Sequence, residues 1–191
     1  MMEEFISDEL FENIEASEVN FKLAEYDNCT FKNCNFQNYD LRNFKFIDCQ
    51  FDACNLSSVK IHNTSLQSIE FTNCKILGAH FDQCNDFGLS INFKTCILDQ
   101  SVFYGMQLNK TNFVNCKLIE VDFTECNLKE SNFNHSDLSG AVFENCDLQK
   151  VDFRNAENFN IDPEINKIRA AKFSNNDLAG LLMKHQIKVE Y

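Results

Sequence analysis

The sequence predicts a repeat protein whose five-residue units each turn one large and one small side chain into a shared interior. Three observations carry that prediction. A large apolar residue recurs at every fifth position, a small residue stands two places before it, and residues of one type recur twenty positions apart. Neither a helix, with period 3.6, nor a flat strand, with period 2, produces a strict five. One coil cannot bury its own apolar face, but stacked coils share a continuous interior.

The composition agrees. The chain has 191 residues, within the size of one domain, with 20 Phe, 10 Cys, 1 Pro and no Trp. Its net charge is -12, which excludes a nonspecific nucleic-acid binder. The apolar share of 44% excludes a wholly disordered acidic chain. No run of apolar residues is long enough to span a membrane, so no membrane partner is expected. The start, Met1-Met2-Glu3-Glu4, is acidic and unlike a secretory leader. Together with the cysteine spacing it predicts a cytoplasmic protein with reduced thiols.

Residues 1–18 are weakly patterned, with Phe11 in phase and Ala16 small. They predict an N-terminal cap and a first, irregular coil that hides the open edge of the stack. Residues 19–158 carry the repeat. The large positions run from Phe21 through Phe31, Phe51 and Phe71 to Phe81, slip by two, and resume from Phe93 through Phe113 and Phe133 to Phe153. All ten cysteines keep the phase of the small position; nine stand two places before a large residue, and the tenth, Cys84, lies at the slip and is followed there by Asp86. Asn or Asp often lies between, as in Asn112-Phe113 and Asp122-Phe123. One column of inward residues should therefore read Phe31, Phe51, Phe71, Phe93, Phe113, Phe133, Phe153, and a second Cys34, Cys54, Cys74, Cys96, Cys116. These columns stay uniform only if two residues are inserted near 85–90, where Phe87 should fill the inward position. About seven coils at roughly 4.8 Å make a rod on the order of 35 Å long. So narrow a core leaves no cavity for a small-molecule substrate.

Residues 159–191 break the register. Pro163 suits a turn, and Ser174 suits the N-cap of a short α-helix bearing Leu178, Leu181 and Leu182 on one side. Ile187, Val189 and Tyr191 alternate as a final strand would. The segment is too short to stand alone and should cap the rod, mediate a homodimer, or both.

Catalytic and metal readings find little support. No Cys-x-x-Cys pair occurs, and Cys is a small apolar residue that suits an inward slot. His62, His80, His135 and His185 share no ligand spacing with Cys or Asp, and no Gly-rich phosphate loop or nucleophile-elbow motif is present. No enzyme activity and no cofactor are expected.

The charge is uneven: net -8 over residues 1–27, +1 over 28–119, -8 over 120–164 and +3 over 165–191. Glu120, Glu125, Glu130 and Glu144 fall in outward slots, with Glu125 and Glu144 expected on one face and Asp82 further along it. Such a face either keeps the rod soluble or presents carboxylates as DNA presents phosphates.

The pattern small, polar, large, polar, polar resembles the pentapeptide-repeat family across residues 9–158. The resemblance implies an all-β fold, a right-handed quadrilateral β-helix with five residues per side and twenty per coil. Within the family the chain is most similar to the quinolone-resistance and microcin B17-immunity group. The similarity lies in the Cys- and Phe-rich slots, as in Phe46-Ile47-Asp48-Cys49-Gln50-Phe51, in Asn160-Ile161-Asp162-Pro163-Glu164-Ile165-Asn166-Lys167-Ile168, and in Leu181-Leu182-Met183-Lys184-His185. It implies a non-enzymatic DNA mimic that binds DNA gyrase or topoisomerase IV and protects it from quinolones or a peptide toxin. It also implies that Leu178, Leu181, Leu182, Ile187 and Val189 build the dimer contact, and that Asp82, Glu120, Glu125, Glu130 and Glu144 meet the partner. The alternative is an acidic scaffold for another protein.

Overall fold

The computed structural model describes residues 4–19 and 21–187. Each coil takes twenty residues and turns four corners. At nearly every corner one residue adopts the left-handed conformation, with φ between +50° and +70° at positions such as Asn28, Asn33, Asn38 and Asn43. Asn and Gly tolerate this region best, which explains their place two residues after the large position. The sides are identified below by the large residue of one coil: Phe113, Leu118, Phe123 and Leu128.

Ten short strands lie on two of the sides. On the Leu128 side, β1 (Glu4–Ser7), β3 (Ala24–Asp27), β5 (Lys45–Ile47) and β7 (Ser65–Gln67) form a parallel sheet in that order. On the Phe113 side, β2 (Leu10–Glu12), β4 (Thr30–Lys32), β6 (Gln50–Asp52), β8 (Ile69–Thr72), β9 (Ile91–Lys94) and β10 (Phe113–Val114) form a second parallel sheet, also in chain order. Single parallel bridges such as Asp122↔Val142 and Asp152↔Lys172 continue the ladders.

The register is twenty residues except at one place. Ser65 pairs with Asn85, twenty on, whereas Ile69 pairs with Ile91, twenty-two on. The two extra residues therefore lie between those points. The expectation that Phe87 turns inward there is wrong. Phe87 is 79% exposed, and Leu89 packs against the core instead. Leu89 fits the large inward position neither counted on from Phe81 nor counted back from Phe93, so the path of the loop itself turns it in and carries the bulky ring out.

The interior is a stack of rings. Phe11, Phe31, Phe51, Phe71, Phe93, Phe113, Phe133, Phe153 and Phe173 lie face to face at 4.6–5.3 Å. A second stack, Phe81, Phe103, Phe123 and Phe143, meets the first edge-on, with Phe113 and Phe123 at 5.5 Å and 81°. Coil spacing sets ring spacing, so both favourable aromatic geometries recur at every level. A void of 20 Å³ among Leu41, Phe51 and Phe71 has room for no more than a water.

The small inward residues are also donors. The thiols of Cys54, Cys74 and Cys96 donate to the carbonyls of Phe31, Phe51 and Phe71 one coil back, each at 3.3 Å. Ser131 and Ser136 donate to Leu108 and Phe113 at 2.7 and 2.6 Å. Asn166 does the same to Phe143 at 2.8 Å. Among the described residues no buried side-chain N or O lacks a partner. All ten cysteines are free thiols, and nine are buried.

Both ends depart from the boundaries the sequence suggests. Residues 4–16 form a regular coil, not an irregular cap: Glu4 pairs with Ala24, Leu10 with Thr30 and Glu15 with Asn35. At the other end the coils continue past 158, because Lys167 pairs with Asp147 and Phe173 stacks on Phe153. The expected α-helix is instead two short 3-10 segments, Asn175–Leu181 and Met183–His185. Ser174 does not cap it; its hydroxyl accepts the Asn155 N–H at 2.8 Å. Gly180 explains the tight winding. Its carbonyl accepts the Ile161 N–H at 3.0 Å, and a Cβ there would lie 2.4 Å from the Phe159 carbonyl oxygen. Ile187 is 54% exposed and lies outside any strand, while Val189 and Tyr191 lie outside the described residues.

Candidate protein-binding surface

Each side of the rod presents three outward positions per coil: one before the large residue, one after it, and the left-handed corner. On the Phe123 side the column after the large residue contains Arg42, His62, Asp82, Tyr104, Thr124 and Glu144, as the coil-to-coil hydrogen bonds of the neighbouring corners show, and counting twenty residues sets Lys22 before it and Glu164 after it. Asp82 and Glu144 thus share a column. Glu125 forms the corner beside it, its N–H bonded to the Glu144 carbonyl at 2.8 Å. Glu120 forms the opposite corner of the same side, and its carboxylate accepts from Gln100 at 3.1 Å. Asp122 lies between, accepting the Thr124 N–H at 2.8 Å.

Glu130 does not join this surface. Ten residues separate it from Glu120, which is half a coil, so it sits at the diagonal corner. There the Lys150 ammonium binds it at 2.9 Å and holds its carboxyl below the usual range. Glu120, Glu125 and Glu130 all occupy left-handed positions, with φ of +57°, +61° and +63°. A non-Gly residue there is disfavoured relative to Asn or Gly.

The Glu125 carboxylate beside Tyr104 raises the pKa of its hydroxyl. Beyond Glu144 the acidity is partly cancelled. Lys184 reaches Asp162 at 2.8 Å and Glu164 at 2.6 Å, and holds the Asp162 carboxyl low. Toward the N-terminus the same side is of mixed charge, with Lys22, Arg42 and Lys60 set against Asp40 and Asp82, and with His62 and His80 among them. Arg42 binds Asp40 at 2.8 Å and lowers that carboxyl to about 2. This change from mixed to acidic charge along one side escapes a sum of charge by segment. Sorting residues by position within the twenty-residue coil exposes it.

At the C-terminal end Leu178, Leu182 and Met183 are exposed at 41%, 39% and 57%, whereas Leu181 is half-buried against the last coil. At the insertion, Asp82, Cys84, Leu89, Tyr104 and Met106 line a surface hollow of 440 Å³. Burial and the nearby Asp82 push the Cys84 thiol up to about 12. Among the described residues no cluster of His, Cys, Asp and Glu could hold a metal ion, and no helix is long and apolar enough to cross a membrane.

A chain of five-residue sides, inward large and small columns and left-handed corners is a pentapeptide-repeat β-solenoid, and the family comparison agrees. The pentapeptide repeat region matches residues 24–87, 79–153 and 113–183, so the protein belongs to the pentapeptide-repeat family. Among solved structures it is similar to trypsin-treated QnrB1, a plasmid-mediated fluoroquinolone resistance protein, with 20% identity, 98% of each chain covered and a TM-score of 0.63. It is also similar to HetL, a pentapeptide repeat protein involved in heterocyst differentiation regulation in the cyanobacterium Nostoc. There identity is 14%, coverage is 88% of this chain and 86% of that one, and the TM-score is 0.40. No curated protein sequence matches the chain.

Proposed function

We propose that this protein is a non-enzymatic docking rod that binds a type II DNA topoisomerase, gyrase or topoisomerase IV, where DNA would lie, and so protects it from quinolones or a peptide toxin. The observation that carries the reading is the C-terminal half of the Phe123 side. There Glu120, Asp122, Glu125 and Glu144 face outward on consecutive coils with no basic side chain among them. A rigid row of carboxylates suits a basic groove built to hold phosphates, and opposite fields speed the encounter. Fold similarity to a fluoroquinolone resistance protein is consistent with this role.

In this reading the exposed Leu178 and Leu182 pair two rods in a cytoplasmic homodimer, aided by Ile187 and Val189, with Leu181 holding the segment to its own coil. The pair would offer a two-fold partner a symmetric acidic track. The test is DNA supercoiling by gyrase with and without a quinolone, titrating wild type and a Glu120→Lys, Glu125→Lys, Glu144→Lys variant. Wild type should alter supercoiling or relieve the drug, and the folded variant should not. No effect of wild type on gyrase or on topoisomerase IV overturns the reading. It would favour an acidic scaffold for another partner, a role that the mixed charge of the N-terminal half of the same side suits better than DNA mimicry.

A further inference from the structure

The Phe123 side carries Lys22, Arg42 and Lys60, with Asp40 and Asp82, in its N-terminal half, and is acidic in its C-terminal half; the three cations of the first half match carboxylates of the second position by position. The rows of this side are centred on Phe21, Leu41, Ile61, Phe81, Phe103, Phe123, Phe143 and Pro163. Consider a two-fold axis lying across the side, midway between the Phe81 and Phe103 rows. A second copy generated by that axis runs antiparallel, and each column faces its own column in reverse.

Arg42 then faces Glu144, and Lys60 faces Asp122. Lys22 faces Glu164, and Asp82 faces Tyr104. At the corner, Leu23, 58% exposed, faces Ile165, 47% exposed. Every contact occurs twice, as an isologous interface requires. No like-charged residues oppose one another in the column after the large residue. A parallel pairing, about an axis along the rod, exchanges the columns before and after the large residue, so it sets Glu164 on Asp162 and leaves Glu144 opposite Val142 and Asp122 opposite Thr124.

We propose that this side is a self-association surface on which two copies pair antiparallel. Two flat sides of a rigid rod need no rearrangement to meet. The contact would be on the order of 35 Å long and about 15 Å wide with side chains, roughly 1,000 Å² in total, the lower limit for a specific interface. Its charges are exposed, and Lys22 and Arg42 already have partners in Glu4 and Asp40. The pairing is therefore weak and salt-sensitive. It covers the carboxylates assigned above to the topoisomerase, so if that assignment holds, self-association competes with partner binding. The pairing itself does not depend on it.

The test is sedimentation equilibrium of the full chain at about 50 mM and about 500 mM salt, across which charge screening increases several-fold. Wild type should show twice the mass at low salt that it shows at high salt. Arg42→Glu alone and Glu144→Arg alone should each lose that doubling. A one-to-one mixture of the two variants should regain it. In the mixed pair the two substituted side chains face each other with their charges exchanged, and the native Arg42 and Glu144 meet at the symmetry-related contact. A mass independent of salt, unchanged single variants, or a mixture that fails to recover would each overturn the proposal. The C-terminal apolar contact is insensitive to salt and sets the mass common to both conditions. Its failure lowers that common mass without abolishing the doubling.

Discussion

Replacing Phe113 by alanine tests the stacked core at its most constrained point. The ring is 0% exposed. It lies between Phe93 at 5.2 Å and Phe133 at 4.9 Å, and touches Phe103 and Phe123 edge-on at 5.6 and 5.5 Å. Truncation of a buried Phe costs about 3–5 kcal/mol, more when the surroundings cannot close on the gap. Here they cannot: the coils above and below are pinned by Phe93 N–H to Asn112 O and Phe113 N–H to Asn132 O, both at 2.7 Å. The cost should therefore lie near the top of that range, about 4–5 kcal/mol. Phe11→Ala is the control. Phe11 is half-buried on the end coil, with one face-to-face neighbour, Phe31, at 4.9 Å, so its loss should cost about half as much. Urea unfolding followed by far-ultraviolet circular dichroism reads both, since the midpoint shift scales with stability. Equal shifts for the two variants would refute the argument that position in the stack sets the energy.

The other predictions concern the donors, the corners and the thiols. Ser136→Ala should cost about 1–3 kcal/mol, because it leaves the Phe113 carbonyl and the Cys116 N–H without the hydroxyl at 2.6 and 2.9 Å, while Ser136→Cys keeps a donor and should cost less in the same urea measurement. Glu125→Asn should raise stability by about 0.5–1 kcal/mol, as Asn is several-fold more tolerant of φ > 0, while weakening partner binding; a loss of stability would show that Glu125 holds its corner in place. Alkylation of the native protein, read by mass spectrometry, should modify Cys84 alone and slowly, because the other nine thiols are buried. Labelling of Cys54 or Cys116 before unfolding would contradict the closed core.

Much of this architecture is legible in the sequence because it repeats. Phe31 to Phe153 recur at one spacing, and the inward columns follow from counting. What escapes the count has specific causes. Ring size favours Phe87 over Leu89 as the buried residue, but at the insertion the path of the loop decides, and neither ring size nor the count of large positions predicts it. Ile6 and Phe11 define a regular first coil, yet their neighbours Phe5 and Leu10 are apolar and exposed at 59% and 61%, which blurs the pattern. Phe159 is buried off-phase and Ile161 puts a large residue in a small inward slot, which hides the return of the register at Ile168 and Phe173. The thiols read as small apolar residues, while their alignment with Ser131, Ser136 and Asn166 reveals a common donor role. Charge is the least legible property. Glu120 and Glu130 are near neighbours in the chain and diagonal opposites on the rod.

The twenty-residue register has a consequence for how such a chain can change. Inserting a whole coil lengthens the rod by about 4.8 Å and leaves every later residue on its own side. Two extra residues bulged from a corner, as between Asn85 and Ile91, also leave the later sides unturned. Gaining or losing a single five-residue unit keeps the interior pattern intact but rotates everything downstream by a quarter turn. The core would tolerate that change, and the surface would not. Glu120, Asp122 and Glu125 would be carried round to a side that Arg42 and Lys60 do not share. Selection for a surface spanning several coils therefore acts on length in steps of twenty, although the unit of folding is five.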